Sequence, residues 1–195
     1  MIRGPRSLRG RILLLGVVFE GGLRLLAMLL GWLFDLPLWS LMSLDLVGSA
    51  QGLAAVLPML AMLLATAHSR LAPLRQIRQI LDDSFLPLFR DSRFVDLALI
   101  ALLAGLGEEF VFRGVLQVGL EKVMPLWGAI ALASLLFGLA HAITPAYAVL
   151  AGLVSVYFGV LFAWTGSLYV VALAHAAYDL IALVYLLGIA RRRSE

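Results

Sequence analysis

The sequence predicts an all-α fold: a polytopic transmembrane helical bundle of about six spans, with both termini cytoplasmic. Three observations point there. The 195 residues are 63% hydrophobic and only 14% charged, with a mean hydropathy of +1.01, whereas soluble domains run near about 45–50% apolar. The apolar runs are long and unbroken. That suits helices, which satisfy their backbone groups internally, and not barrel strands, which alternate. Finally, twelve of the fifteen basic residues fall in three segments that an even number of spans places on one side, and such residues accumulate in the cytoplasm. Residues 1–195 read as a single membrane domain.

The first span is 12–34. Arg3, Arg6, Arg9 and Arg11 precede it, and without a small-residue cleavage site it reads as a retained span and not a signal peptide. Within it, Glu20 and Arg24 are four apart and are expected to neutralise each other; the alternative makes them a secondary wall of an active site. Trp32 and Trp39 flank the following turn as interfacial anchors. The second span is 46–67, where Pro58 is expected to introduce a kink. His68, at its end, reads as a solvated residue.

Residues 68–93 form a polar connection carrying five arginines. Within 74–88, Leu74, Ile77, Leu81, Phe85 and Leu88 recur at helical spacing, predicting an amphipathic helix on the membrane surface that Pro87 ends. The third span is 94–120. The fourth is 125–141, with Pro125 at its start. The fifth is 146–164, the sixth 168–190, and Arg191, Arg192 and Arg193 close the chain.

The third span holds the main anomaly, Glu108-Glu109-Phe110-Val111-Phe112-Arg113. Charges in hydrocarbon cost roughly 2.5–3.5 kcal/mol each on insertion scales. Glu109 and Arg113 share a helix face and can pair. Glu108 points about 100° away and has no partner in its own segment. His141 in the fourth span, and His175 with Asp179 four residues apart in the sixth, are the other ionisable groups of the C-terminal half. Intramembrane ionisable residues face the bundle interior and pair with one another. A carboxylate and two histidines are what water activation requires: a base, a group that orients the water, and a stabiliser of the developing oxyanion. At ~1.5 Å per residue, Glu108 and His141 fall at different depths in an untilted bilayer. Their meeting requires that the third helix start below the surface or tilt, or that the fourth continue past His141.

There is no cysteine, which excludes disulfides, thiolate chemistry and cysteine-ligated metals. The basic residues flank apolar spans, so nucleic acid is not an expected partner. Ser134 has no Gly-x-Ser-Gly loop, Gly105-x-Gly107 follows no strand, and no HExxH is present.

Glu108-Glu109-x-x-x-Arg113, Phe137-x-x-x-His141 and His175-x-x-x-Asp179 resemble, in order and spacing, the three signatures of the CPBP family of CAAX prenyl endopeptidases and Abi-type bacteriocin-processing and immunity proteins. The resemblance covers roughly residues 91–190, the expected catalytic core. It implies an intramembrane endopeptidase, an integral protein of a bacterial inner membrane. Its partners would be the lipid bilayer and a peptide or lipidated protein substrate, such as a prenylated C-terminal peptide, a bacteriocin leader or a sorting-signal tail.

By position, Glu108 would be the general base and His141 would hold the water. His175 and Asp179 would bind the scissile carbonyl, and Glu109, Arg113 and Phe137 would support the site. Where the family often has asparagine this chain has Asp179, which when ionised cannot donate a hydrogen bond to an oxyanion. Its expected role is therefore to orient and charge His175. A metal-free mechanism is favoured; the alternative is a zinc site of Glu108, His141 and His175. Two other functions fit the composition: a non-catalytic immunity or binding protein, and, less well for want of repeats, a small proton-coupled transporter.

Overall fold

The computed structural model describes residues 8–193. Among them every regular element is helical, so the all-helical membrane bundle stands. Arg3 and Arg6 lie outside the described residues. Four helices are long and apolar enough to cross a membrane: Leu8–Leu33 (α1), Leu46–His68, Pro145–Thr165 (α8) and Leu168–Ala190, the apolar part of α9 (Leu168–Arg193). Leu126–Ala140 (α7) is a shorter apolar helix.

The second of these is broken, but not where expected. It divides into α2 (Leu46–Ala54) and α3 (Val56–His68) at Ala55. Pro58 lies inside α3. Having no N–H, it cannot bond the carbonyl four residues back, and its ring crowds that carbonyl. The disruption therefore surfaces one turn earlier, at Ala54–Ala55. The carbonyl of buried Ala55 accepts a hydrogen bond from the Tyr157 hydroxyl at 2.9 Å.

The connection folds as α4 (Ala72–Ile80), a π-helical turn over Leu81–Phe85 and a 3-10 turn over Leu86–Phe89. Its apolar face is shifted from the expected one. Ile77 is buried, but so are Leu86 and Phe89, while Phe85 and Leu88 are exposed. The π turn holds one residue more than an α turn, so every position after it rotates forward by one. Pro87 sits inside the 3-10 turn and does not end the helix. Arg78 ties this segment down, its guanidinium donating to the carbonyls of Thr66 at 2.5 Å and Ser69 at 2.7 Å. Those carbonyls lie at the C-terminal end of α3, where a cation is favoured.

The third apolar run is α5 (Phe94–Glu109), continuing without interruption into a π-helical segment (Phe110–Gln117) and a last turn, α6 (Val118–Glu121). It packs most extensively on α9 and also on α1, while α7 packs on α8. These contacts rest on small residues that let backbones approach. A Cβ at Gly105 would lie 2.7 Å from the Ala172 carbonyl oxygen and 2.8 Å from the Ala176 nitrogen. A Cβ at Gly107 would lie 2.6 Å from the Glu20 carbonyl oxygen. The main core, around Phe110, Phe158, Leu168, Val171 and Ala174, fills the space between the π segment, α8 and α9. At the other end of α5, Arg9 clamps Asp96 through Nε at 2.5 Å and Nη2 at 2.9 Å.

Candidate active site

Four residues from three helices converge where α5, α7 and α9 meet. Glu108 occupies the end of α5, with its side chain 12% exposed. Its Oε1 is 3.7 Å from Nε2 of His141, and its Oε2 is 3.9 Å from Nε2 of His175. Asp179, one turn beyond His175 on α9, brings Oδ2 to 3.4 Å from the same Nε2. Glu108 Oε2 is buried and makes no hydrogen bond.

The two histidines are held in different ways. His141 is the residue that ends α7; the helix does not run past it. Its Nδ1 donates to the Phe137 carbonyl at 2.9 Å, and its ring stacks on the Phe137 ring at 4.2 Å between centroids. A carbonyl can only accept, so neutral His141 presents an Nε2 lone pair to Glu108. His175 is buried and stacks on Phe158 at 5.1 Å. Its Nδ1 is bonded to Glu109 Oε1 at 2.8 Å.

This bond revises the division of labour between the glutamates. Glu109 pairs with Arg113 as the spacing predicts, with Oε2 3.1 Å from Nε and both side chains buried. Its other oxygen reaches across to α9 and orients His175. Asp179 instead lies on the Nε2 side of that ring. Arg113 lies between the Phe137 and Phe158 rings, 5.6 Å from each centroid, and donates from Nη2 to the Ser155 carbonyl at 2.5 Å and hydroxyl at 2.9 Å. Gln117, four residues on, donates to the Gly159 carbonyl at 3.2 Å. Ser155 and Gly159 repeat on α8 the spacing of Arg113 and Gln117 on the π segment, so two polar rungs join the helices. That match was the available signal for Ser155, which sequence reasoning passed over.

Glu20 also differs from expectation. No ion pair joins it to Arg24 among the described residues; the Arg24 guanidinium lies over the Phe110 ring at 5.2 Å. A cation on a ring face gains from the quadrupole, and this position takes Arg24 away from Glu20. Glu108 and His141 do come together, where the end of α5 meets the end of α7.

Side-chain exposure rises from Glu109 at 0% through His175 at 8% to His141 at 28% and Asp179 at 30%. The site thus has a closed charged floor and an open rim. Among the described residues no group of three or more His, Asp or Glu side chains is arranged as a metal site.

No curated protein and no solved structure matches the chain at a significant level. Residues 90–181 match the family model for type II CAAX prenyl endopeptidase Rce1-like proteins, just under half of the chain. That stretch runs from just before α5 to just past Asp179 and holds all three motifs. Residues 90–181 are thus similar to the CPBP/CAAX protease family that the three motifs resemble.

Proposed function

We propose that the chain is an intramembrane endopeptidase that hydrolyses a peptide bond of a membrane-associated or lipidated substrate, with Glu108 activating the water. The observation that carries this reading is the pair of gaps around Glu108, 3.7 Å to His141 and 3.9 Å to His175. Both exceed a direct hydrogen bond. Each is a separation that one water can bridge.

In this reading the water donates one hydrogen to Glu108 and the other to the His141 lone pair. Glu108 takes its proton as the oxygen adds to the scissile carbonyl carbon, and the carbonyl electron pair moves onto its oxygen. Protonated His175 donates from Nε2 toward that oxyanion, with Glu109 holding Nδ1 and Asp179 balancing the charge. The tetrahedral species then collapses. The C–N bond breaks, and Glu108 returns its proton to the departing amine. Asp179, acceptor-only when ionised, acts through His175. Six spans with both termini in the cytoplasm of a bacterial inner membrane fit the arginine distribution, and the open rim then faces the side that carries the 68–93 connection.

The test is Glu108→Gln in the purified full chain in liposomes, assayed on the precursor that accumulates when the gene is deleted. Cleavage should fall by about 10²–10⁴-fold, the usual contribution of a general base, with the fold unchanged by circular dichroism. Wild-type turnover by a folded Glu108→Gln variant refutes the mechanism. Full protection by that variant in an immunity assay would favour a binding role.

A further inference from the structure

The α8 helix carries none of the three motifs, yet the charged floor of the site rests on it. Ser155, Phe158 and Gly159 lie three and four residues apart, so they share one face of α8, and all three are buried. The Ser155 carbonyl and hydroxyl both accept from Arg113 Nη2, at 2.5 Å and 2.9 Å. Arg113 Nη1 is buried and has no hydrogen-bond partner. Among the described residues, Ser155 is therefore what anchors the far end of the guanidinium. At the near end, Nε lies 3.1 Å from Glu109 Oε2. The other Glu109 oxygen is 2.8 Å from His175 Nδ1. An ionised carboxylate only accepts, so Nδ1 carries the hydrogen and Nε2 is the atom turned to the site. The Phe158 ring closes the same assembly, with the Arg113 guanidinium 5.6 Å from its centroid and the His175 ring stacked on it at 5.1 Å.

A small polar residue on a buried helix face commonly does no more than let two helices approach. The neighbouring rung is of that kind. Gln117 donates to the Gly159 carbonyl at 3.2 Å, and its other bond, 3.2 Å to Glu121 Oε1, leads away from the site. Ser155 differs because its partner continues, through two further contacts, to a histidine beside Glu108. Without the Ser155 hydroxyl, a buried cation loses one of its two acceptors on α8. The guanidinium then shifts toward its remaining partners, and Glu109 shifts with it. We infer that Ser155 is a positioning residue of the active site, fixing the ring of His175 through Arg113 and Glu109. The inference rests on the proposed function for its catalytic meaning, but not for the geometry of the relay.

The experiment uses the full chain in nanodiscs, labelled with ¹⁵N at its three histidines, with His175 assigned by His175→Gln. Ser155→Cys nearly keeps the volume and replaces a good acceptor with a weak one. Ser155→Thr keeps the hydroxyl. Gln117→Met cuts the neighbouring rung and leaves the relay intact. In Ser155→Cys the His175 Nδ1–H signal should move upfield, as its hydrogen bond weakens. The same variant should lower kcat by about tenfold with KM unchanged, as for a small displacement at a reacting centre. Ser155→Thr should keep the wild-type signal. Gln117→Met should lower the unfolding midpoint and leave the signal in place. An unmoved His175 signal in folded Ser155→Cys overturns the inference. So does equal movement in Ser155→Thr or Gln117→Met, which marks loosened packing. Should Ser155→Cys not fold, Ser155→Ala is read by the same two measures. The histidine signal is read without turnover. Movement in a chain that cleaves nothing refutes the protease reading alone, and an unmoved signal in a chain that cleaves refutes this inference alone.

Discussion

Gly105→Ala should loosen the protein and the site together. The added Cβ would sit 2.7 Å from the Ala172 oxygen, 2.8 Å from the Ala176 nitrogen and 2.9 Å from the Ala176 Cβ. Two of these are backbone atoms and cannot rotate away. An ordinary contact needs about 3.5 Å, so α5 and α9 must part by about 0.8 Å. Overpacking of this kind costs about 1–3 kcal/mol. The same two helices carry the 2.8 Å bond between Glu109 and His175, and displacements near that size at a reactive centre cost about tenfold or more in rate. Gly188→Ala is the control. It lies in α9 with nothing within 4 Å of the new methyl, and there alanine should gain about 0.5–1 kcal/mol as the better helix former. Reversible unfolding in mixed micelles, followed by circular dichroism, reads both. Equal signs for the two substitutions would refute the packing argument.

Two further outcomes follow from burial. Arg113→Ala should cost about 3–5 kcal/mol in the same unfolding assay, because it strands the buried Glu109 charge; adding Glu109→Gln should recover part of that, and purely additive losses would contradict a coupled pair. Leu86 is 2% exposed and Phe85 is 38% exposed, so Leu86→Ala should lose about 2–5 kcal/mol and Phe85→Ala far less; the reverse order would show that the π turn does not shift the register.

What the sequence made legible was local. Apolar runs outline the helices because hydrocarbon tolerates little else. Glu109 and Arg113, like His175 and Asp179, could be paired because a helix fixes what lies four residues on. What it concealed depends on departures from ideal helical phase or on contacts between helices. Pro58 acts one turn before its own position. A π turn moves the buried face from Phe85 and Leu88 to Leu86 and Phe89. The bond from Glu109 to His175 spans two helices, and no spacing within either encodes it. Glu20 looked like half of an ordinary i,i+4 pair until a ring face claimed Arg24.

The length of α7 has a consequence for the surrounding lipid. Its 15 residues measure about 22 Å, against a hydrocarbon thickness of about 30 Å. A short span is matched by thinning the bilayer beside it. The deficit falls at its His141 end if α7 starts at the opposite interface. The annulus there would be pinched, and polar headgroups drawn toward the rim formed by His141 and Asp179. For the proposed hydrolysis, a dimple of this kind would bring water to the carbonyl without a pore. The bilayer's own thickness then becomes a variable: in longer-chain lipids the dimple deepens at greater elastic cost, and the protein should partition away from them.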